Sequence, residues 1–235
     1  MDAATFRASA AALRPFFAEL AFAGAAGATM DVLRRIGLRA ERAMLEATGG
    51  VNTHRGAVFG LGLLCAAAGA DGDGRWRAGQ VCATVRRTWG PAILCGPIPL
   101  HSHGTDALRQ HGAGGARAEA ADGFPHALHV GLPALRLGRR LAPVEPDAAR
   151  VQAFFALLAT VEDTNLLHRG GGAGSGFARA AAAGFLAGGG VGRAGWRDRA
   201  VAIHGAFVAR RLSPGGSADL LAMTLFLDAL ETGTR

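Results

Sequence analysis

Val58–Ala70 is an unbroken apolar run rich in glycine and alanine. It is too short to cross a bilayer, which takes about 20 apolar residues. A helix that is apolar all round belongs in a protein core. The chain is therefore expected to fold around a buried central helix running from about Thr53 to Ala68. Gly56 and Gly60 are four apart on it and leave one flank open to a second backbone.

The residues ahead of this run, Thr-Gly-Gly-Val-Asn-Thr-His-Arg-Gly-Ala at 48–57, mark a junction between two helices. The glycine pair ends the first. Asn52 or Thr53 caps the second, its side-chain oxygen accepting an orphan backbone N–H. That leaves Arg55 in a first helical turn, where a cation opposes the helix dipole. Either the arginine is simply solvated at a surface cap, or an anion such as phosphate sits on the N-terminus.

Helical periodicity recurs along the chain. Thr5–Gly24 sets Phe6, Leu13, Phe16, Phe17 and Leu20 on one stripe, and Thr29–Asp31 starts a helix with Val32, Leu33, Ile36 and Leu45 inward. Further helices are expected over 75–94, 131–140, 147–168, 176–187, 196–211 and 217–230. Strand alternation is convincing nowhere, and neither a repeat nor a separating linker is found. The expectation is an all-α fold, a compact multi-helix bundle with a central buried glycine-containing helix, in a single domain.

Composition narrows the partners. Half the residues are hydrophobic and 18% are charged, which suits a packed core rather than disorder. The net charge of +7 comes from arginine alone, since the chain has no lysine. These arginines are scattered singly or in pairs, without a basic run interleaved with aromatics, so nucleic acid is not an expected partner. Cys65, Cys82 and Cys95 form no C-x-x-C pair, so a reducing cytoplasm fits better than a disulfide scaffold or a zinc site. No signal-peptide pattern opens the chain, and no membrane partner is expected.

Three further stretches concentrate polar residues. In the expected helix 147–168 the apolar stripe Val151, Phe155, Leu158 runs on into Glu162, Asn165 and Arg169, with Asp163 and His168 beside it. A buried face that turns polar either lines a cavity or closes a hydrogen-bonded network before the Gly170–Gly172 loop. In Gly114–Pro125 only Arg117, Glu119 and Asp122 are large and polar. Two carboxylates three apart on one helix suit magnesium or acid/base work, or a salt-bridged surface helix. In Ser213-Pro-Gly-Gly-Ser-Ala-Asp, Ser217 is a candidate N-cap and Asp219 complements the dipole, or the segment forms a second anion or metal-associated helix start. Histidines 101, 103, 111, 126 and 129 match no zinc spacing and are read as exposed loop residues. Neither a phosphate loop of the G-x-x-x-x-G-K-[ST] type nor a G-x-S-x-G elbow is present.

Taken in order, Gly-Val-Asn-Thr-His-Arg-Gly-Ala at 50–57, Gly-Ala-Arg-Ala-Glu-Ala-Ala-Asp-Gly-Phe-Pro at 115–125, Asp-Thr-Asn-Leu-Leu-His-Arg-Gly-Gly at 163–171 and Ser-Pro-Gly-Gly-Ser-Ala-Asp-Leu-Leu-Ala at 213–222 resemble the triphosphoribosyl-dephospho-CoA synthase family. The Gly-Gly before Val51 leans toward the malonate decarboxylase branch rather than the citrate lyase branch. Family members carry an earlier segment resembling Thr-Pro-Lys-Pro-Gly-Leu-Val-Asp and then Gly-Ala-His-x-Asp-Met. Met1-Asp-Ala-Ala-Thr-Phe resembles the stretch directly after that segment, so the 1–235 domain is expected to lack it.

The resemblance implies a pentosyl transfer. The ribose 2′-hydroxyl of 3′-dephospho-CoA attacks the anomeric carbon of ATP, adenine leaves, and the product goes on to a carrier-protein prosthetic-group transferase. It implies ATP as substrate and Mg²⁺ as cofactor. On this reading Arg55, Arg117 and Arg169 hold phosphates with Asn52 and Thr53, and Glu119, Asp122 and Asp163 supply metal ligands or the base. His54 and His168 serve as acid/base or orienting groups, Asn165 positions a sugar hydroxyl, and Ser213, Ser217 and Asp219 close one wall. The rival readings are a magnesium-dependent nucleotide N-glycosidic hydrolase and an inactive truncated scaffold that only binds nucleotide or carrier protein.

Overall fold

The structure is a computed structural model that describes residues 2–72, 74, 76–97 and 114–233. Among the described residues it contains ten α-helices and no strand, as the periodicity predicts. They are α1 (Ala3–Ala25), α2 (Met30–Ala47), α3 (Arg55–Ala70), α4 (Ala78–Cys95), α5 (Gly115–Ala121), α6 (Leu132–Leu141), α7 (Ala148–Thr160), α8 (Thr164–Ala187), α9 (Trp196–Ala209) and α10 (Gly215–Gly233). A π-helical turn, Ala127–Gly131, precedes α6. None of the described helices is long and apolar enough to cross a membrane. The contacts fall into two compact units. The first is Met1–Gly96, Ala120–Phe124 and Phe226–Arg235; the second is Pro97–Glu119 and Pro125–Leu225.

In the first unit α3 is the central buried helix expected from its composition, with Ala57, Val58, Leu63, Leu64, Ala66 and Ala67 all nearly inaccessible. A close backbone approach is found at the C-terminal end of α3. A Cβ on Gly69 would overlap the Ala21 carbonyl, and a Cβ on Gly24 of α1 would overlap the Ala66 carbonyl. The two helices therefore touch backbone to backbone at a reciprocal glycine pair. Leu13, Ala40, Met44 and Val58 close the core between α1, α2 and α3. Helix α2 ends at left-handed Gly49 and Gly50 (φ 63° and 86°), and the Gly50 N–H returns to the Leu45 carbonyl at 2.7 Å. In α4 the buried Trp89 donates its indole N–H to the Ala28 carbonyl at 3.0 Å. Cys65 is largely buried, and burial pushes its thiol up to about 12. Such a thiol is an inert core group.

The second unit is organised on α7, α8 and α9. Phe155, Leu158, Leu166, Phe185, Trp196 and Phe207 form its core, with the Phe155 and Phe185 rings stacked 4.1 Å apart.

Several expected boundaries move. The helix expected over 147–168 breaks at Val161–Asp163, where Val161 is extended (φ −78°, ψ 141°), because the Asp163 side chain caps a new helix. The expected Gly170–Gly172 loop is instead part of α8, interrupted only at Gly171 (φ 58°, ψ −163°). Ser217 is not an N-cap but lies inside α10, which begins at Gly215. Asp122 lies in the turn after α5, not on it. His126 and His129 lie in the helical turn before α6, not in a loop. His101, His103, Asp106 and His111 lie outside the described residues, as does Arg75, the expected start of α4.

Candidate functional site

The second unit contains a buried carboxylate that joins two helix starts. Asp163 is only 1% exposed. Its Oδ1 accepts the backbone N–H of Asn165 at 3.0 Å and of Leu166 at 3.3 Å, which caps α8. Its Oδ2 accepts the backbone N–H of Ser217 at 2.8 Å and the Ser217 hydroxyl at 3.0 Å, which caps α10. Two positive dipole ends thus face one negative charge. A carboxylate offers about four lone-pair positions, and all are engaged. The Gly215–Gly216 pair makes this approach sterically possible. A Cβ on Gly215 would lie 2.6 Å from Asn165 Nδ2, and one on Gly216 would lie 3.2 Å from the Asp163 carboxyl.

Helix α5 meets the same place. Gly115 has φ 55°, and a Cβ there would lie 3.2 Å from the Thr164 methyl. Three of the four polar stretches therefore contribute to one unit, 163–165 and 213–217 joined at Asp163 and α5 touching Thr164 at Gly115. On α5, Arg117 donates to the Pro97 carbonyl at 2.8 Å. Glu119 is the more enclosed acid: its Oε1 accepts the His126 backbone N–H at 2.8 Å, and its Oε2 contacts His126 Nδ1 at 2.7 Å. This bond raises the His126 imidazole above its ordinary value, against the opposing effect of burial. His126 reaches Glu119 because the chain turns at left-handed Gly123 and Phe124 (φ 82° and 58°). His168 and Arg169 are exposed on α8, Ser213 is exposed, and Asp219 is partly buried on α10.

The first unit carries the 52–55 stretch. Asn52 Oδ1 accepts the Arg55 N–H at 3.1 Å, so Asn52 does satisfy an orphan donor, although His54 occupies the cap position. Thr53 does not cap; its hydroxyl donates to Ser9 Oγ at 2.8 Å. Ser9 is fully buried and contacts His54 Nδ1 at 2.7 Å. The His54 ring stands edge-on to Phe6 at 5.3 Å, and burial pushes its pKa down. The anion beside Arg55 is a protein group: its Nε donates to Glu41 Oε2 at 3.0 Å. Asp122 belongs to this unit too, 3.6 Å from Arg86, both well exposed.

Sequence reasoning missed Ser9 and Glu41, and read His126 as an exposed loop residue. Ser9 had a readable signal, because it sits on the Phe6, Leu13, Leu20 stripe where an apolar residue belongs. Among the described residues, no group of three or more His, Cys, Asp or Glu side chains is gathered as a metal site. Asp163 and Glu119 have their oxygens taken up by protein donors, so they do not fit a ready-made magnesium cage.

Comparison with known proteins identifies the family. A family model described as "CitG: ATP:dephospho-CoA triphosphoribosyl transferase" matches residues 1–235. A "Probable 2-(5''-triphosphoribosyl)-3'-dephosphocoenzyme-A synthase" of Pseudomonas paraeruginosa is 42% identical over 231 residues, covering 95% of this chain and 77% of that protein. Proteins of the same description from Azotobacter vinelandii (39% over 240 residues, 98% of this chain and 80% of that protein) and Albidiferax ferrireducens (40% over 242 residues, again 98% and 80%) are similar to it as well. No solved structure matches the chain. A match of this extent means that the chain belongs to the ATP:dephospho-CoA triphosphoribosyl transferase family.

Proposed function

We propose that this protein transfers the 5-triphosphoribosyl group of ATP to the 2′-hydroxyl of 3′-dephospho-CoA. The bond between the ribose anomeric carbon and adenine N9 breaks, a bond from the acceptor 2′-oxygen forms, the 2′-hydroxyl proton passes to a base, and adenine leaves with a proton. The observation that supports this most is the meeting of the 115–119, 163–165 and 213–217 stretches around Asp163 in a member of this family.

In this reading Asp163 fixes the pocket rather than reacting, since its oxygens already hold both helix starts. Asn165 is turned toward Gly215 and orients a sugar hydroxyl. Arg117 and Arg169 bind phosphate, as planar guanidinium groups suit it. His168, Ser213 and Asp219 are further candidate contacts from the 163–171 and 213–222 stretches. Glu119 and His126 form the acid/base pair, because an imidazole whose pKa a carboxylate raises is the better placed to donate to the departing base. A developing oxocarbenium ion also favours a nearby carboxylate. In the first unit, Arg55 would exchange Glu41 for a phosphate to act as a contact beside Asn52 and Thr53, and His54, whose pKa burial lowers, is a candidate proton acceptor. Any Mg²⁺ would arrive with the triphosphate, which supplies most of its ligands. The Gly49–Gly50 pair ahead of Val51 leans toward the malonate decarboxylase branch, whose carrier protein would receive the product through a prosthetic-group transferase.

The test is to incubate the protein with ATP, with and without dephospho-CoA, and to quantify adenine chromatographically. Release that requires dephospho-CoA is expected, with one triphosphoribosyl adduct formed per adenine. Release without the acceptor would identify a nucleotide N-glycosidic hydrolase instead, and no release under either condition would leave a binding scaffold.

A further inference from the structure

The second unit contains a cavity of about 400 Å³ beside the fourth polar stretch. Its apolar lining includes Val151 and Phe154 of α7, Ala200, Ile203 and Phe207 of α9, and Leu212. Arg150, His204 and Ser213 supply its polar lining. A cavity of this size and character is that of a small-molecule site, mostly apolar with a few polar groups.

Its position in the chain says what would occupy it. Ser213 and Pro214 line it, and the next residues, Gly215 to Ser217, are packed on Asn165 and Asp163. The cavity therefore continues from the polar cluster through a single short segment. Dephospho-CoA has matching parts in the same order: a ribose that carries the reacting hydroxyl, a diphosphate, and then a long uncharged pantetheine arm with a gem-dimethyl centre. ATP has no apolar extension of that kind. We infer that this cavity is the subsite for the pantetheine arm of the acceptor, with Ser213 at the end nearer the reacting ribose and Arg150 placed for the diphosphate. The inference rests on the proposed acceptor being dephospho-CoA.

Two kinds of measurement test it. In the first, Ile203→Glu and Ala200→Phe place a charge or bulk in the cavity. Each is expected to raise the KM for dephospho-CoA at least tenfold while leaving the KM for ATP within twofold. Free pantetheine is expected to compete with dephospho-CoA in the unsubstituted protein and to lose that effect in the variants. An unchanged dephospho-CoA KM in folded variants would overturn the assignment. The second uses the unsubstituted protein, so that neither folding of a variant nor turnover matters. Dephospho-CoA carrying a benzophenone on its thiol is photolysed on the protein and the crosslinked peptides are mapped. Crosslinks within 150–155 and 200–208 are expected. Crosslinks elsewhere, crosslinks joining two copies of the chain, or none at all would overturn the subsite. An absence of acceptor-dependent adenine release with crosslinks still in the cavity would instead count against the proposed reaction alone.

Discussion

Ser217 places both its backbone N–H and its hydroxyl on a single oxygen of Asp163, at 2.8 and 3.0 Å, from 54 positions away in the chain. The other carboxylate oxygen caps α8. Asp163→Asn replaces one acceptor oxygen by an NH₂ group that must face at least one of these donors. We expect a loss of about 3 kcal/mol, because a buried hydrogen bond to a charged group contributes roughly 1.5–3 kcal/mol and a stranded donor adds to the cost. Ser217→Ala keeps the backbone bond and should cost about 1 kcal/mol. Urea unfolding of the two variants checks the order; an Asp163→Asn protein as stable as Ser217→Ala would show that the bridge does not hold the helix starts together.

The Glu119–His126 pair predicts a pH dependence. Its hydrogen bond raises the folded-state pKa of His126 above the ordinary value of 6.5. A raised histidine contributes stability that is fully present below the unfolded pKa and is lost as pH rises through the folded one. Unfolding midpoints measured from pH 5 to 9 should therefore fall across a window beginning near 6.5 and ending above it. Glu119→Gln should remove that fall and bring the His126 resonance, followed by NMR titration, back toward its ordinary midpoint. A His126 midpoint that does not move in Glu119→Gln would rule the pair out as the cause.

His54 titrates in the opposite sense. Burial lowers its pKa below 6.5, so the folded state favours the neutral ring. Its contribution is present above the unfolded value and is lost as pH falls toward the folded one. Ser9 is buried against the His54 ring and Thr53, so Ser9→Ala removes one partner from each and leaves only their mutual 3.1 Å contact. A loss of about 1–2 kcal/mol at pH 7 is expected. Thermal unfolding of Ser9→Ala beside Ser9→Thr measures this; equal stability of the alanine variant and the parent would dismiss the network.

Arg169 is exposed on α8, six positions beyond the Asp163 cap. Arg169→Ala should leave the helical circular dichroism unchanged and weaken ATP binding roughly tenfold or more, the equivalent of one charge-assisted hydrogen bond of about 1.5–3 kcal/mol. Calorimetric titration with ATP is the measurement. Unchanged affinity would remove this residue from the phosphate contacts.

How far these features were readable depends on where each residue's partner lies. Helix α3 was legible because Val58–Ala70 is apolar throughout, and the end of α2 because Gly49–Gly50 is a local backbone signal. The break at Val161–Asp163 was not. No glycine or proline marks it, and the stripe through Phe155 and Leu158 runs on to Asn165 by helical steps. What interrupts the helix is the Asp163 side chain, and half of its partners are on Ser217. The Glu119–His126 bond was hidden for a similar reason, since seven residues apart on a straight helix would hold the two about 10 Å apart, and only the turn at Gly123–Phe124 closes the gap. Arg55 does need an anion, as its place in a first helical turn implies, but the anion is Glu41 of the preceding helix.

The reciprocal approach of α1 and α3 gives the sharpest steric contrast. At Gly24 and Gly69 a Cβ would run into the carbonyl of the facing helix, at Ala66 and Ala21 respectively. Backbone cannot rotate aside as a side chain can, so each substitution must push the helices apart along their whole contact. Gly24→Ala and Gly69→Ala are each expected to destabilise by about 1–3 kcal/mol, the usual cost of overpacking. Gly37, also inside a helix, has no neighbour within 4 Å of a Cβ. There Gly37→Ala should stabilise by about 0.5–1 kcal/mol, because alanine loses less conformational freedom in a helix than glycine does. Denaturant midpoints of the three variants should therefore move in opposite directions; a shift of the same sign at Gly24 and Gly37 would mean that helix propensity, and not contact between the two backbones, governs this part of the core.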